Sequence, residues 1–257
     1  MGKPDIIYED NDIIVCCKPA GIATQTRRIG QQDMESFIRN YRAAKNEPPY
    51  VGIVHRLDQP VEGVMVFAKN QKAAASLSRQ IKEHTTEKYY HAASRGHGVS
   101  GAAVEDEEES FQDKSAYASK VPGGDKKEDI YDPAWHTLTD YISFDKRTNT
   151  SKITSEKDRQ AKKAVLQYRI LSNECNKTEF DIKLLTGRHH QIRLQLANIG
   201  YPLIGDTKYG KPASNNSGTG NVAGRTGSCV REQLALCSYK LVFDHPATGE
   251  RMTFELP

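Results

Sequence analysis

Short apolar runs separated by turn-forming residues dominate the pattern of hydrophobic and polar positions along this chain. Runs of this kind, bounded by Gly, Pro, Asn and Asp, are typical of β-strands. They predict strands at residues 6–8, 13–17, 63–68, 87–94, 135–144, 165–171, 178–185, 234–243 and 251–256. The acidic, Asn-containing residues 9–12 and the residues His-Pro-Ala-Thr-Gly-Glu at 245–250 predict turns within the first and the last pair of strands.

Apolar positions at helical spacing predict three helices, over residues 33–46, 70–84 and 189–199. We expect each helix to bury one apolar face. The three faces consist of Phe37, Ile38 and Tyr41, of Ala74, Leu77 and Ile81, and of Ile192, Leu196 and Ile199. Many strands with a few interspersed helices predict the α+β class, with helices packed on one sheet.

Three polar stretches interrupt this alternation. Residues 96–132 are rich in Gly, Ser, Asp, Glu and Lys, and residues 211–231 in Gly, Ser and Asn. We expect both stretches to be loop insertions in a single domain that spans residues 1–257. Residues 148–163 are predicted to form a further polar connector.

Composition narrows the class of protein only moderately. The net charge of +3 is compatible with nucleic-acid binding but does not indicate it by itself. The five cysteines form no CxxC pair, which argues against a disulfide framework or a zinc site and favours a reduced, intracellular setting. No apolar stretch approaches the roughly 20 residues that a membrane-spanning helix needs.

The residues His-Arg-Leu-Asp at 55–58 are the strongest candidates for chemistry. Asp58 lies in a loop just before the apolar run at 63–68, which predicts a buried strand. A carboxylate on such a rigid loop can be a nucleophile, a base or a metal ligand, and the local sequence leaves all three open. Taken alone, Asp58 is better explained by a structural salt bridge within the loop.

Two other segments add aromatic and cationic groups. Tyr89 and Tyr90 are neighbours in a predicted strand, so alternation sends at most one of them into a pocket. Residues 187–193, Gly-Arg-His-His-Gln-Ile-Arg, place cations at a helix start, where they oppose the helix dipole unless they face an anion. An aromatic face beside cations suits an unstacked RNA base. His189 and His190 are adjacent in the predicted helix, so we do not expect them to face one metal ion.

Six segments together resemble the RluA family of RNA pseudouridine synthases, in the order that this family has them. They are Lys-Pro-Ala-Gly at 18–21, His-Arg-Leu-Asp at 55–58, Lys-Tyr-Tyr-His-Ala at 88–92, Gly-Arg-His-His-Gln-Ile-Arg at 187–193, Pro-Leu-Ile-Gly-Asp-Thr-Lys-Tyr-Gly at 202–210 and Leu-Val-Phe-Asp-His-Pro-Ala-Thr-Gly-Glu at 241–250. The resemblance implies the pseudouridine synthase fold. That fold is a mixed, mainly antiparallel sheet with flanking helices and a central active-site cleft.

The resemblance implies a catalytic set of Asp58, Tyr90 and Arg193. Asp58 matches the catalytic Asp, which attacks the target uridine at the sugar C1′ or the base C6, so that the uracil turns and C5 bonds to C1′. Tyr90 matches the aromatic residue that stacks on the base. Arg193 matches the residue that pairs with the catalytic Asp and keeps its carboxylate ionised and aimed.

The substrate-binding residues that the resemblance implies are Arg56, His55, Arg188 and Leu236. Arg56 matches a residue that fills the gap left by the extruded base, and extrusion is required because C1′ and C5 cannot be reached inside a stack. Leu236 matches an apolar position that lines the pocket. His55 is expected to hold its loop through hydrogen bonds, and Arg188 belongs to the cationic helix start.

The implied partner is RNA, either rRNA or tRNA, and the implied reaction uses no cofactor and no metal. We expect a cytoplasmic monomer that does not bind membranes. Because the chain begins almost at its first strand, we also expect no N-terminal RNA-binding domain of the S4 type.

The chain departs from the family pattern at two places. Residues 60–63, Pro-Val-Glu-Gly, stand where many relatives have Thr-Ser-Gly, and Cys237 and Ser238 stand where His-Ala is common. We expect neither departure to touch the three catalytic residues, so that both bear on substrate choice more than on chemistry.

Two other functions remain open at this point. The first is a non-catalytic RNA-binding or ribosome-assembly protein that kept the fold, against which the intact catalytic set argues. The second is an Asp-dependent hydrolase of another class. A hydrolase needs a general acid or a metal cluster, and Asp206 is the one further carboxylate in the six segments with an obvious candidacy.

Overall fold

The computed structural model describes residues 4–26, 28, 30–95, 132–174, 177–210 and 232–256. The loops predicted over residues 96–132 and 211–231 lie outside the described residues, except for Asp132, which begins a strand. Within the described ranges the chain forms eleven strands and three helices. In chain order they are β1 (Asp5–Glu9), β2 (Ile13–Lys18), α1 (Met34–Ala44), β3 (Gly52–Ile53), β4 (Glu62–Ala68), α2 (Gln71–Lys82), β5 (Glu87–Arg95), β6 (Asp132–Asp145), β7 (Thr150–Thr154), β8 (Lys162–Glu174), β9 (Lys177–Leu184), α3 (Gln191–Asn198), β10 (Leu236–Asp244) and β11 (Arg251–Glu255).

The eleven strands form one sheet with the order β1-β2-β4-β10-β5-β9-β8-β6-β7, in which β3 also pairs with β4 and β11 with β10. Every pairing between these described strands is antiparallel except that of β4 with β10. The predicted α+β class with a mixed, mainly antiparallel sheet is therefore confirmed. The parallel pair joins the N-terminal strands to the rest of the sheet, with Gly63 opposite Ser238.

Both faces of the sheet are covered where β2 and β4 run side by side. Alternate residues of these strands, such as Ile14 and Met65, belong to an apolar cluster that includes Ile38 of α1. The residues between them, such as Val64, join a second cluster that includes Leu77 of α2. Strands with two buried faces read as continuous apolar runs, which explains why these two were easily predicted.

The two longer helices begin where their caps predict. The Asp33 carboxylate accepts the Ser36 N–H at 2.8 Å to begin α1, and the Asn70 side chain accepts the Ala73 N–H at 2.9 Å to begin α2. The predicted apolar face of α1 packs on the core. The described helices include none that is long and apolar enough to cross a membrane.

The buried face of α2 differs from the prediction by one residue. Ala73, Leu77 and Gln80 are buried, whereas Ala74 and Ile81 are only partly covered. The reason is a pair of hydrogen bonds between the Gln80 side-chain amide and the backbone of Asp244 in β10. The amide donates to the Asp244 carbonyl at 2.8 Å and accepts the Asp244 N–H at 2.9 Å. These bonds turn Gln80 inward in place of its apolar neighbour.

The prediction of a polar connector over residues 148–163 is wrong. Residues 150–154 form β7, which pairs with the end of β6, and β8 begins within the same stretch. β7 shows no apolar alternation because its buried residue is Ser151. The Ser151 hydroxyl donates to the His189 carbonyl at 2.8 Å, and the Ser151 N–H donates to the Tyr209 hydroxyl at 2.8 Å. A buried strand residue that is satisfied by hydrogen bonds leaves no hydrophobic signal in the sequence.

Candidate active site

The loop that carries Asp58 connects β3 and β4 and is held on both sides by hydrogen bonds. His55 Nε2 accepts the Val66 N–H at 3.1 Å. The Thr24 hydroxyl accepts the Leu57 N–H at 3.2 Å and donates to the Leu57 carbonyl at 3.0 Å. Leu57 is buried, while the Asp58 side chain keeps 29% of its surface exposed. These contacts hold the loop rigidly and present Asp58 to an open cleft.

Lys18 supports the same loop from the end of β2. It is fully buried, and its Nζ donates to the carbonyls of Pro19, Ile22 and Gln59 at 3.0, 2.6 and 3.1 Å. Burial lowers the pKa of Lys18 to about 8, and the nearby charge of Asp58 opposes this shift. The family segment at 18–21 pointed to this residue, but its role as a buried brace for the Asp58 loop depends on contacts that the sequence does not reveal.

Arg193 of α3 approaches Asp58 but is bound more tightly by Asp206. Its Nε and Nη2 each donate to Asp206 at 2.7 Å, whereas its Nη1 lies 3.5 Å from Asp58 Oδ2. The Asp206 side chain has no exposed surface. Burial disfavours the Asp206 carboxylate, but Arg193 and the N–H groups of Lys208 and Tyr209 outweigh it and hold its pKa below the ordinary value. Asp206 therefore anchors the guanidinium and is not available as a general acid.

His190 also faces the candidate nucleophile. It precedes α3 with a left-handed backbone, at φ 53°, so the helix begins at Gln191 and not at the predicted His189. Its Nε2 lies 3.5 Å from Asp58 Oδ2, and its ring is 3.7 Å from that of His189, centroid to centroid. The expectation that adjacent His side chains diverge on a helix does not apply, because neither residue lies within the helix.

Tyr90 enters the cleft from β5, and its neighbour Tyr89 lies on the other face of the sheet, as strand alternation predicts. Burial raises the pKa of the Tyr90 hydroxyl, and the Ser238 side chain interacts with that hydroxyl and opposes the rise. The expectation that Ser238 does not touch the catalytic set is wrong. β5 pairs with β10 so that Leu236 lies opposite Ala92, and the register shifts between Cys237 and Lys240, where Ser238 contacts Tyr90.

All seven residues predicted for the site line a single cleft of about 1650 Å³. Arg56 is exposed at its surface, and Arg188 is partly covered, with its Nε donating to the Lys163 carbonyl at 2.9 Å. Other basic side chains also line this cleft, namely Arg28, Lys82, Lys88, Lys162 and Lys208. An anionic polymer that entered this cleft would therefore meet several positive charges.

A second cluster of possible metal ligands lies outside the cleft, within the described part of the chain. The side-chain ligand atoms of Asp10, Asp12 and His245 lie within 4.8 Å of one another. Asp10 already accepts the N–H groups of Asp12 and Ile13 at 2.8 Å and contacts His245 Nε2 at 2.8 Å. His245 Nδ1 in turn accepts N–H groups from its own turn. Hydrogen bonding between two turns explains this cluster fully.

Comparison with known proteins places these residues in a family. A family model described as RNA pseudouridylate synthase matches residues 12–198. Ribosomal large subunit pseudouridine synthase D of Pseudomonas aeruginosa is 31% identical to this chain over 259 residues, which cover 98% of this chain and 68% of that protein. An uncharacterized RNA pseudouridine synthase of Bacillus subtilis is 28% identical over 259 residues, covering all of this chain and 69% of that protein.

The fold is also found in a solved structure. The human RNA pseudouridylate synthase domain containing 4 superimposes with a TM-score of 0.66 at 18% identity, covering 98% of this chain and 88% of that one. The mainly antiparallel sheet described above is therefore that of pseudouridylate synthase domains. The chain belongs to the RNA pseudouridylate synthase family, in its RluA branch, and is an enzyme of the pseudouridine synthase class.

Proposed function

We propose that this protein isomerises a specific uridine of rRNA or tRNA to pseudouridine in the cytoplasm, with Asp58 as the nucleophile. The observation that carries the proposal is the setting of the Asp58 carboxylate. It is held on a rigid loop, it is partly exposed in a basic cleft, and it faces a guanidinium that is itself fixed by a buried carboxylate. Such an arrangement keeps an anion aimed at a ligand without neutralising it by direct contact.

The proposed reaction is balanced without any redox step. Asp58 attacks the uridine at C1′ or C6, the bond between N1 and C1′ breaks, the uracil turns, and C5 bonds to C1′. The bond between Asp58 and the substrate breaks again, which regenerates the carboxylate. The C5 proton then leaves and N1 carries a proton, so the product is an isomer of the substrate. Asp58 contributes a transient covalent bond, and the other residues contribute positioning and charge, because the uridine supplies all the atoms of the product.

Tyr90 and Arg56 are proposed to act on the extruded base. Burial raises the pKa of Tyr90, so at neutral pH it is an uncharged phenol whose ring can stack on uracil. Leu236 would cover another side of the same pocket. The exposed Arg56, two residues before Asp58, is placed to fill the space that the base leaves in the RNA.

Mapping pseudouridine in cellular RNA tests this proposal and identifies the substrate. Cells that lack the gene would be complemented with the wild type, with Asp58→Asn, or with Asp5→Asn, whose exposed carboxylate lies on β1. We expect one or a few positions of rRNA or tRNA to lose pseudouridine in the deletion. The wild type and Asp5→Asn should restore them, and Asp58→Asn should not. An unchanged pseudouridine map in every strain would overturn the proposed substrate class.

A further inference from the structure

Two donors approach the same oxygen of the candidate nucleophile. Arg193 Nη1 and His190 Nε2 each lie 3.5 Å from Asp58 Oδ2. The position of Arg193 is explained by its pair with Asp206. Asp206 does not explain the position of His190 or which of its two ring nitrogens carries the proton.

Tyr209 contacts His190 on the side away from Asp58. The Tyr209 hydroxyl accepts the Ser151 N–H at 2.8 Å and lies 3.0 Å from His190 Nδ1. Its ring also faces the Arg193 guanidinium, with Cζ 5.4 Å from the ring centroid. A phenol has one proton to give, and because its oxygen already accepts from Ser151, that proton can be donated to His190 Nδ1.

The tautomer of His190 follows from its two neighbours. A neutral imidazole carries one N–H, so if Nδ1 accepts from Tyr209 the proton lies on Nε2 and points towards Asp58. The opposite tautomer would set the Nε2 lone pair against the Asp58 carboxylate, which is repulsive. Burial, followed by the charge of Arg193, lowers the pKa of His190 to about 3, which makes the ring neutral at pH 7.

We infer that Tyr209 and His190 are positioning residues for the nucleophile: the Tyr209 hydroxyl fixes His190 as the Nε2–H tautomer, and this N–H orients Oδ2 of Asp58. The inference rests on the proposed role of Asp58. A neutral donor suits this task, because hydrogen bonds from charged groups are about twice as strong. A second cation on Asp58 would therefore stabilise the carboxylate further and reduce its tendency to attack.

The tautomer can be measured without any RNA. Histidine labelled with ¹⁵N gives separate signals for protonated and unprotonated ring nitrogens, and the His190 signals are assigned from their loss in His190→Gln. We expect wild-type His190 to carry its proton on Nε2 at pH 7, and Tyr209→Phe to give a mixture of the two tautomers. A proton on Nδ1 in the wild type, or an unchanged tautomer in Tyr209→Phe, would overturn the inference.

Kinetics test the role of this N–H in the reaction. Loss of one hydrogen bond at a buried site corresponds to a fall in kcat on the order of tenfold, which we expect for Tyr209→Phe with unchanged RNA affinity. His190→Gln keeps an amide N–H near the position of Nε2 and should retain more activity than His190→Ala. Tyr141→Phe is the control, because its hydroxyl bonds Glu156 outside the cleft.

The double variant separates positioning from general damage. Gln has no tautomer to select, so Tyr209→Phe should cost little in the His190→Gln background. An equal loss in both backgrounds would contradict the inference. Lack of activity in the wild type would instead count against the proposed function, and the tautomer measurement would still decide whether Tyr209 fixes the proton of His190.

Discussion

The residues around Asp58 are held by hydrogen bonds that depend on specific protonation states. His55 shows this most clearly, because its Nε2 accepts the Val66 N–H and must therefore be unprotonated. Burial, together with the charge of Lys88, lowers the pKa of His55 to about 3. The Asp58 loop thus depends on a histidine that stays neutral, although the sequence indicated only that His55 forms hydrogen bonds.

The lowered pKa of His55 predicts that the folded protein loses stability in mild acid. The ordinary pKa of His is about 6.5, so between that pH and 3 the unfolded chain binds a proton that the folded protein does not. The contribution of His55 is complete above pH 6.5 and is lost as the pH falls, by about 1 to 2 kcal/mol between pH 7 and pH 5. The free energy of unfolding of His55→Gln should change less over this interval. His91→Gln, at an exposed position, should behave as the wild type. Equal pH dependence of all three proteins would contradict this account.

At the scale of elements, the parallel contact between β4 and β10 joins the strand of the Asp58 loop to the strand that carries Ser238 and Leu236. Gly63 lies in this contact at φ 142°, and a Cβ there would overlap the Ser238 carbonyl oxygen. A side-chain rotation could relieve neither the positive φ nor the overlap with the carbonyl oxygen, because both involve backbone atoms. Gly63 therefore makes possible the close approach that places Ser238 beside Tyr90.

Substitutions of three glycines separate the cost of the positive φ at Gly63 from the cost of steric overlap. Gly187→Ala meets no atom within 4 Å and should change the free energy of unfolding by less than about 0.5 kcal/mol. Gly249→Ala meets no atom either but has φ 74°, and should cost about 1 kcal/mol. Gly63→Ala combines an unfavourable φ with overlap and should cost about 3 kcal/mol in denaturant unfolding. A cost equal to that of Gly249→Ala would mean that the strands can separate to admit the methyl group.

The elements also show where sequence patterns succeed. α1, α2 and the pair β10–β11 were predicted because caps, apolar periodicity and turn residues all agree there. β7 was missed because its buried Ser151 is satisfied by His189 and Tyr209, which are distant in sequence. The start of α3 was placed too early because a left-handed residue, His190, gives no signal when it is not Gly.

At the scale of the whole molecule, the cleft brings together segments from the loop after β2 to β10 and surrounds Asp58 with basic side chains. The ordered segments predicted residues that line this cleft, and the expected pair of Arg193 with Asp58 is present at 3.5 Å, but the tighter pair of Arg193 with Asp206 could not be predicted. The two shortest bonds of Arg193 go to Asp206, at 2.7 Å each. Which of two nearby carboxylates binds a guanidinium more tightly depends on differences in distance of less than an ångström. The local sequence does not determine such differences.

The basic cleft predicts that RNA binding depends steeply on salt. Each phosphate contact releases counterions when RNA binds. The negative slope of the logarithm of the binding constant against the logarithm of the salt concentration should therefore become shallower by about 0.7 to 0.9 for each contact removed. Lys162→Ala, at an exposed position of the cleft, should reduce the slope by about this amount, whereas Lys45→Ala, directly after α1 and paired with Glu9, should leave it unchanged. Affinity that does not vary with salt would argue against RNA as the ligand of this cleft.

The most direct test of the account is release of tritium from RNA labelled at uridine C5, taken from cells that lack this gene. Isomerisation through Asp58 requires the C5 hydrogen to leave, so the wild type should release tritium and Asp58→Asn should release none above background. RNA affinity should be similar for both proteins, since the substitution removes a charge and little volume. Release by Asp58→Asn at the wild-type rate would show that Asp58 is not the nucleophile.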